Sequence, residues 1–371
     1  MKQSEREVVA ILVRSFVAAG AEKQAALLAN VLSEDFRVLC LELHDGGEDN
    51  RCANFDSIRD KVMPVGGMTF LTKIIRLYRL LKQHNVSVLF CYQPSSNIAG
   101  AIAGRMAGVK RIYGGIRGSS LKKNRLKMML QRFLFNRICT KVVSNSYRAK
   151  EAYVRYGVSS DKIHVIHNAI ITDREYYQRE PVHTIRILSA GRMIAEKDHL
   201  TALKAIKKIK DSADCNTPFT YTIVGGGWDA VGGKDAKHLR AFIKENGLED
   251  HVTLVHHVND MDSYYRQSDI FLITSANEGM PNVVMEAMSW SLPVVATDAG
   301  DLSFLVKNEQ NGYVCPVGGS SEIAGSLIML LESHEKRVLF GKKSHDHISG
   351  NFNEQILLHR YRELLAKHGT N

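Results

Sequence analysis

Short apolar runs rich in β-branched residues alternate with amphipathic segments along most of the chain. Such runs are typical of buried strands, and apolar positions spaced three or four apart are typical of helices. In the first half the pattern predicts strands at 8–13, 37–43, 86–92, 110–114 and 141–145, and helices at 20–32, 70–84 and 96–108. Alternating strands and helices favour a parallel sheet with helices on both faces.

The same alternation restarts after about residue 180, which predicts a second domain of the same type. Its strands are predicted at 184–190, 219–224, 252–256, 270–274 and 293–296, and its helices at 199–210, 236–246, 261–267 and 281–289. We therefore predict an α/β fold with two Rossmann-like doubly wound domains, 1–170 and 171–351, facing across a cleft. An amphipathic helix in 352–371 can cross back to the first domain.

Positive charge is concentrated in one part of the first domain. The chain of 371 residues has a formal net charge of +10, and residues 61–150 contain 18 Lys and Arg but no Asp or Glu. The segments 1–60 and 151–371 each carry a net charge of −4. Such a field attracts phosphates, as in anionic lipid, a lipid diphosphate or nucleic acid. The alternative is a basic face that only confers solubility.

Other features of the composition argue against several classes of protein. No apolar run reaches the roughly 18 residues that a membrane-spanning helix needs, and the polar N-terminus predicts no secretory signal. The cysteines have no CxxC spacing, so we expect inert, reduced thiols of a cytoplasmic protein and neither a zinc site nor disulfides. They are Cys40, Cys52, Cys91, Cys139, Cys215 and Cys315.

A loop after a predicted strand carries the most specific motif. Its sequence is NEGMPNVVMEA, at 277–287. Gly279 permits a tight loop, and Pro281 suits the first turn of a helix, where its missing N–H is not needed. The backbone N–H groups at about 282–284, together with the helix dipole, then form a phosphate site without any side chain.

Two carboxylates flank this predicted phosphate site. Glu278 lies just before the predicted helix, and Glu286 lies one turn inside it. A carboxylate accepts hydrogen bonds from two hydroxyl groups, which suits the vicinal diols of sugars and ribose. The alternative is that one glutamate caps the helix and the other is a solvated helical residue.

Two cations share another loop that follows a predicted strand. Arg192 and Lys197 can together hold a diphosphate and neutralise charge on a departing one, although isolated cations are more often plain surface charges. Gly225 opens a glycine triple that permits close backbone approach to a nucleotide, or simply forms a turn. Gly20 opens a helix without a GxGxxG pattern, so no dinucleotide fingerprint is predicted.

These residues resemble the motifs of the family 4 retaining glycosyltransferases, whose fold is called GT-B. The family's E-x7-E hallmark is met by Glu278 and Glu286, and its GR…EK loop by Arg192 and Lys197. The similarity is specific from 187 to 317. It is looser in the first half, where the similar segments are GAE at 20–22, SNS at 144–146 and VIHN at 165–168.

The resemblance implies a role for each of these positions. Glu286 would bind the ribose hydroxyls, and Glu278 would contact the donor sugar near the reacting carbon. Arg192 and Lys197 would bind the donor diphosphate, which makes them, with Glu278, the implied catalytic residues. The other implied donor-binding positions are Gly20, Gly225, Val258 beside the base, Gly279, Met280, Pro281, Asn282 and Val283.

The first domain departs from the family pattern. Many relatives have a histidine that contacts the donor sugar where this chain has the segment 113–119. Arg117 and Ser119 are candidate replacements, which leaves the acceptor side open. Asn168-Ala169 takes the place of the usual Asn-Gly.

Basic residues interleaved with apolar ones predict an interfacial helix within 117–137. On this acceptor or membrane side we single out Arg117, Ser119, Lys122, Lys123 and Arg125. We expect the first domain to lie on the anionic inner face of the cytoplasmic membrane, where a saccharide linked to a polyprenyl diphosphate is a natural acceptor. The alternative is a core-facing helix whose Lys and Arg side chains are solvated.

The resemblance thus implies a retaining hexosyltransferase that moves a sugar from a nucleotide-sugar to a saccharide acceptor in polysaccharide assembly. UDP is expected because it is the commonest donor nucleotide of the family. No metal cofactor is expected, since no DxD-type carboxylate cluster follows a strand. An epimerase of the same fold would need acid–base carboxylates in the first domain, which 61–150 lacks. A nucleic-acid-binding protein would show an RRM, KH or helix-turn-helix pattern, and none is found.

Overall fold

The computed structural model describes residues 6–17, 20–44, 46–47, 51–52, 54–118, 125–226 and 234–367. The chain divides into two compact units: Met1–Ala169 with Glu354–Asn371, and Ile170–Asn353. The C-terminal helix therefore belongs to the first unit, although it follows the second unit in sequence.

The strands of the first unit are β1 (Val8–Val13), β2 (Arg37–Glu42), β3 (Val62–Pro64), β4 (Val88–Cys91), β5 (Arg111–Ile116), β6 (Lys141–Ser144) and β7 (Ile163–Val165). Its helices are α1 (Gly20–Leu32), α2 (Phe70–Gln83), α3 (Pro94–Ala107), α4 (Arg125–Arg137), α5 (Tyr147–Arg155) and, at the end of the chain, α13 (Glu354–Ala366). Within the described residues the strands form one parallel sheet with the order β3-β2-β1-β4-β5-β6-β7.

The strands of the second unit are β8 (Ile185–Ala190), β9 (Phe219–Val224), β10 (Val252–Val255), β11 (Ile270–Ile273), β12 (Val294–Thr297) and β13 (Gly312–Cys315). Its helices are α6 (His199–Lys210), α7 (Lys234–Glu245), α8 (Met261–Gln267), α9 (Asn282–Ser289), α10 (Leu302–Leu305), α11 (Ser320–Leu331) and α12 (His334–Asn351). In the described part of this unit the parallel strands have the order β10-β9-β8-β11-β12-β13.

Local sequence explains these elements. All six residues of β1, VVAILV, are buried, as expected for a strand covered on both faces. Helix α3 begins with Pro94 and ends before Gly108, which has the left-handed φ of 76° that glycine favours. Helix α6 begins after Asp198, whose side chain accepts a hydrogen bond from the backbone N–H of Thr201 at 3.3 Å.

The two predicted Rossmann-like sheets are confirmed, with differences at some elements. The short strands β3, β7 and β13 are not predicted from the sequence. The helix predicted at 281–289 begins at Asn282, because Pro281 has an extended ψ of 121° and is the N-cap. The helix predicted within 117–137 is described only from Arg125 onward. Arg117 instead follows β5 directly, outside any helix.

Candidate functional site

Three loops at the carboxyl edge of the second sheet hold one another in place. The backbone N–H of Gly191, after β8, donates to the carbonyl of Val224 at 2.9 Å, and that of Met193 donates to Gly226 at 2.8 Å. The loop after β11 joins them, since the N–H of Ala276 donates to the carbonyl of Glu196 at 3.0 Å. The segments with the predicted site residues therefore meet at the edge where parallel α/β sheets bind ligands.

Two glycines allow close contacts between loops at this edge of the sheet. A Cβ atom at Gly225 would lie 1.8 Å from the carbonyl oxygen of Gly191. A Cβ atom at Gly300, which has a φ of +61°, would lie 2.1 Å from the carbonyl oxygen of Glu278. Gly225 thus makes a close backbone approach to the neighbouring loop of the protein itself, and its approach to a nucleotide stays a prediction.

Lys197 and Glu278, which were predicted from separate motifs, are in direct contact. The Lys197 Nζ atom lies 2.5 Å from Oε1 of Glu278. The hydroxyl of Ser275 donates to the same oxygen at 2.7 Å. Both charged side chains are largely buried, so the surrounding protein screens this ion pair less than bulk water would. The sequence indicated the two charges but neither their pairing nor the role of Ser275.

Glu286 has a buried partner that the sequence did not indicate. The hydroxyl of Tyr265, on α8, donates to Oε2 of Glu286 at 2.9 Å. Burial and the nearby Glu286 carboxylate raise the pKa of Tyr265 well above its usual value, so its hydroxyl keeps its proton and donates. Tyr265 lies on α8, 21 positions before Glu286, and no motif in the sequence marks it.

The first turn of α9 lies between the two glutamates of the motif. Its N-cap, Pro281, has no side chain that can cap the backbone N–H groups that follow. Asn282 and Val283 are partly exposed there, whereas the side chain of Met280 is buried in the core. Backbone amides at this helix start are suited to bind an anion.

The remaining predicted donor residues occupy different environments. The Arg192 side chain is exposed and forms no ion pair with the described residues, while its carbonyl accepts a hydrogen bond from Nε2 of His199 at 3.3 Å. Burial lowers the pKa of His199 to about 4, so this imidazole is neutral at pH 7. Val258 follows β10, is half-buried and packs against the core of the second unit. Gly279 lies in the loop before α9.

In the first unit, a second group of polar residues lies at the carboxyl edge of its sheet. Gly20 is the first residue of α1, and Glu22 in the same turn accepts a hydrogen bond from Gln93. Burial raises the pKa of Glu22. The guanidinium of Arg117 lies 4.0 Å from the centre of the Tyr92 ring. Of the other predicted acceptor-side residues, Arg125 is exposed at the start of α4, and Ser119, Lys122 and Lys123 lie outside the described residues.

Two further searches concern the described residues only. They contain no group of three or more His, Cys, Asp or Glu side chains arranged to hold a metal ion. None of their helices has the length and apolar character needed to cross a bilayer.

Two family models together match most of the chain. The model for Glycosyltransferase Family 4 matches residues 18–174, and the model for Glycosyl transferases group 1 matches residues 177–347. The chain therefore belongs to the family 4 glycosyltransferases, as its motifs predicted.

Individual relatives agree with this assignment. The chain is 25% identical over 272 residues to an uncharacterized glycosyltransferase of Haemophilus influenzae, covering 72% of this chain and 73% of the relative. It is 24% identical over 321 residues, covering 81% and 78%, to the Escherichia coli UDP-Gal:alpha-D-GlcNAc-diphosphoundecaprenol alpha-1,3-galactosyltransferase. The structure of Anabaena HepE in complex with UDP-glucose matches 97% of this chain and 99% of its own, with a TM-score of 0.83 and 20% identity. The GT-B fold is thereby confirmed.

Proposed function

We propose that this protein transfers a hexose from a UDP-sugar to a saccharide linked to a polyprenyl diphosphate. We place the reaction on the inner face of the cytoplasmic membrane, in the assembly of a surface polysaccharide. The observation that carries the proposal is the Lys197–Glu278 pair beside the start of α9. The UDP-glucose complex of HepE and the lipid diphosphate acceptor of the E. coli relative support the choice of donor and acceptor.

The donor site is assembled from charges and backbone dipoles that the second unit already holds in place. The Lys197 ammonium group has three N–H bonds that can donate hydrogen bonds. One of them donates to Glu278, which leaves two for the diphosphate of the nucleotide-sugar. The exposed Arg192 and the first-turn amides of α9 supply further donors. Glu286, held by Tyr265, accepts hydrogen bonds from the ribose hydroxyls.

During transfer the bond from C1 of the sugar to the diphosphate oxygen breaks, and a bond from the acceptor oxygen to C1 forms. The acceptor hydroxyl loses its proton to the departing diphosphate. Negative charge grows on that diphosphate, and preorganised cations and amides stabilise it. Attack on the face that the diphosphate leaves gives retention of configuration, and we expect Glu278 to contact the sugar. Since Arg192 and Lys197 neutralise the leaving group, we expect transfer to need no metal cofactor.

A thermal-shift series tests the donor site. We expect a UDP-sugar to raise the melting temperature more than the matching GDP- or ADP-sugar, equally with and without EDTA. Glu286→Ala should abolish the shift, whereas Glu335→Ala, at an exposed glutamate of α12, should retain it. Loss of the shift in EDTA would contradict metal independence, and a larger shift with a GDP-sugar would contradict the choice of UDP.

Transfer itself is measured with a labelled UDP-sugar and a saccharide linked to a polyprenyl diphosphate. The product should carry the anomeric configuration of the donor, which proton coupling at C1 reports. An inverted product would exclude the retaining mechanism.

A further inference from the structure

Helix α4 is apolar on two sides. One side packs into the core of the first unit through Met128, Leu134 and Phe135. The other presents a stripe to solvent at the spacing of a single helix face. Its members are Leu126, Met129, Leu130 and Phe133, with exposed fractions of 78%, 53%, 40% and 56%. Core packing therefore accounts for three of the seven apolar residues of this helix.

A second exposed apolar group lies at the start of α2. Met68, in the preceding loop, is fully exposed, and Phe70, Leu71 and Ile75 follow it in the first turns of the helix with exposed fractions of 47%, 67% and 40%. Thr69 caps this end of α2 by accepting a hydrogen bond from the N–H of Thr72 at 3.2 Å, so the exposed side chains stand on a formed helix.

Both groups lie on the same side of the first unit. In the strand order of the first sheet, the crossovers through α2, α3 and α4 run in the same direction, and right-handed crossovers then place all three helices on one face. Helix α3 packs against both α2 and α4. Since α2 and α4 each follow the carboxyl end of a strand, their first turns lie at the edge of the sheet where acceptors are expected.

The three helices α2, α3 and α4 carry charge of one sign. Helices α2, α3 and α4 all fall within 61–150, which contains no Asp or Glu. Exposed basic residues flank the two apolar groups: Arg76, Arg79 and Lys82 on α2, and Arg125, Lys127, Arg132 and Arg137 on α4. An apolar stripe within a basic surface matches the interface of an anionic bilayer, where acyl chains meet negative headgroups.

We propose that the exposed stripe of α4 and the first turns of α2 form a bilayer-contact surface, defined by Met68, Phe70, Leu71, Ile75, Leu126, Met129, Leu130 and Phe133. Its partner is a membrane of anionic phospholipid. A second copy of the chain would meet this basic surface with the same charge, and nucleic acid offers no acyl layer for the aliphatic side chains. The proposal rests on the proposed function in one respect: it brings the acceptor-side edge of the first unit to a lipid-linked acceptor.

Co-sedimentation of the full chain with vesicles tests this surface. Wild type should bind phosphatidylcholine vesicles that contain phosphatidylglycerol, bind pure phosphatidylcholine weakly, and be released by salt. Arg125→Gln and Arg137→Gln should each weaken binding about five-fold. The double variant M129Q/F133Q should weaken it at least as much. The matched control is M329Q/L339Q, which changes two exposed apolar residues of the second unit, and it should bind like wild type.

Unchanged vesicle binding by M129Q/F133Q would overturn the proposal, and so would equal binding to neutral and anionic vesicles. Tighter binding of the protein to RNA than to vesicles would also overturn it, in favour of a nucleic-acid partner. The thermal shift by UDP-sugar, measured on the same variants, should match wild type because these positions are exposed. If the chain binds vesicles but no UDP-sugar, the bilayer-contact surface is supported and the proposed function is contradicted. If it binds UDP-sugar but no vesicles, only the bilayer-contact surface is contradicted.

Discussion

Lys197 Nζ lies 2.5 Å from Oε1 of Glu278, and the Ser275 hydroxyl donates to the same oxygen at 2.7 Å. Two donors on one oxygen fix the orientation of the carboxylate. Ser275 is itself fully buried, and its carbonyl accepts a hydrogen bond from the hydroxyl of Thr297 at 2.7 Å. The position of Glu278 is therefore set by the loop after β11 and the last residue of β12 as well as by Lys197.

Ser275→Ala should lower the rate of sugar transfer while leaving the fold intact. A hydrogen bond to a charged group contributes about 1.5 to 3 kcal/mol, so kcat/KM should fall about ten-fold or more. Steady-state kinetics with a UDP-sugar measure this change. The control is Ser326→Ala, which alters another buried serine of the same unit, on α11. Equal kinetics in the two variants would show that Ser275 does not position Glu278.

Lys197→Met and Glu278→Gln should each lower kcat/KM, but their effects should not add. Each change removes one member of a largely buried ion pair, and the partner left behind loses its compensating charge. The double variant should therefore be less impaired than the product of the two single effects predicts. A double-mutant cycle on transfer kinetics gives the coupling, and strict additivity would mean that the pair does not act as a unit.

Tyr265→Phe should weaken the binding of UDP through Glu286. The change removes only the hydroxyl that donates to Oε2 at 2.9 Å, from a side chain that is fully buried. We expect the Kd for UDP to rise about ten-fold, as for a lost hydrogen bond to a charged group. Calorimetric titration measures it, and Tyr221→Phe, which removes a buried hydroxyl that contacts Ser189, is the control.

A deoxyribose analogue separates this role from a general loss of stability. UDP that lacks the 2′- and 3′-hydroxyls should bind wild type and Tyr265→Phe almost equally, because this analogue has no ribose hydroxyls that can donate to Glu286 in either protein. If the variant loses affinity for both nucleotides to the same extent, Tyr265 supports the fold and does not position Glu286.

The sequence was sufficient for ten of the thirteen described strands and for the motif loops, but not for the side-chain pairs. Near-continuous apolar runs such as β1 are buried on both faces, so their pattern predicts them well. The partners at the site are distant in sequence: Lys197 and Glu278 are 81 positions apart, and Tyr265 and Glu286 are 21 apart. Strand order brings their loops and helices to one edge, yet only the folded backbone decides which side chains touch.

Gly225 also shows where sequence reasoning stops. A glycine after a strand predicts a close backbone approach, but the sequence does not name the group that approaches. In the structure the carbonyl of Gly191 is one group that approaches this position.

Gly225→Ala should disrupt the second unit. A Cβ atom there would lie 1.8 Å from a backbone oxygen, and a backbone carbonyl cannot move aside as a flexible side chain can. We expect a large fall in melting temperature and loss of the shift by UDP-sugar. Gly325→Ala, inside α11 with nothing within 4 Å of the added Cβ, is the control and should raise stability by up to about 1 kcal/mol. Similar melting temperatures for the two variants would contradict the packing of these loops.

His199 should make the second unit less stable in mild acid. Burial lowers its pKa from 6.5 to about 4 in the folded state, so the unfolded chain binds a proton first as the pH falls. The stability that the neutral imidazole contributes is complete above pH 6.5 and is lost as the pH falls toward 4, a change of about 3 kcal/mol. Both tryptophans, at 228 and 290, belong to the second unit, so their fluorescence during urea unfolding reports on that unit. His199→Gln should flatten this part of the pH profile, whereas His183→Gln, at an exposed histidine of the same unit, should not. An unchanged slope in His199→Gln would mean that other groups cause the acid sensitivity.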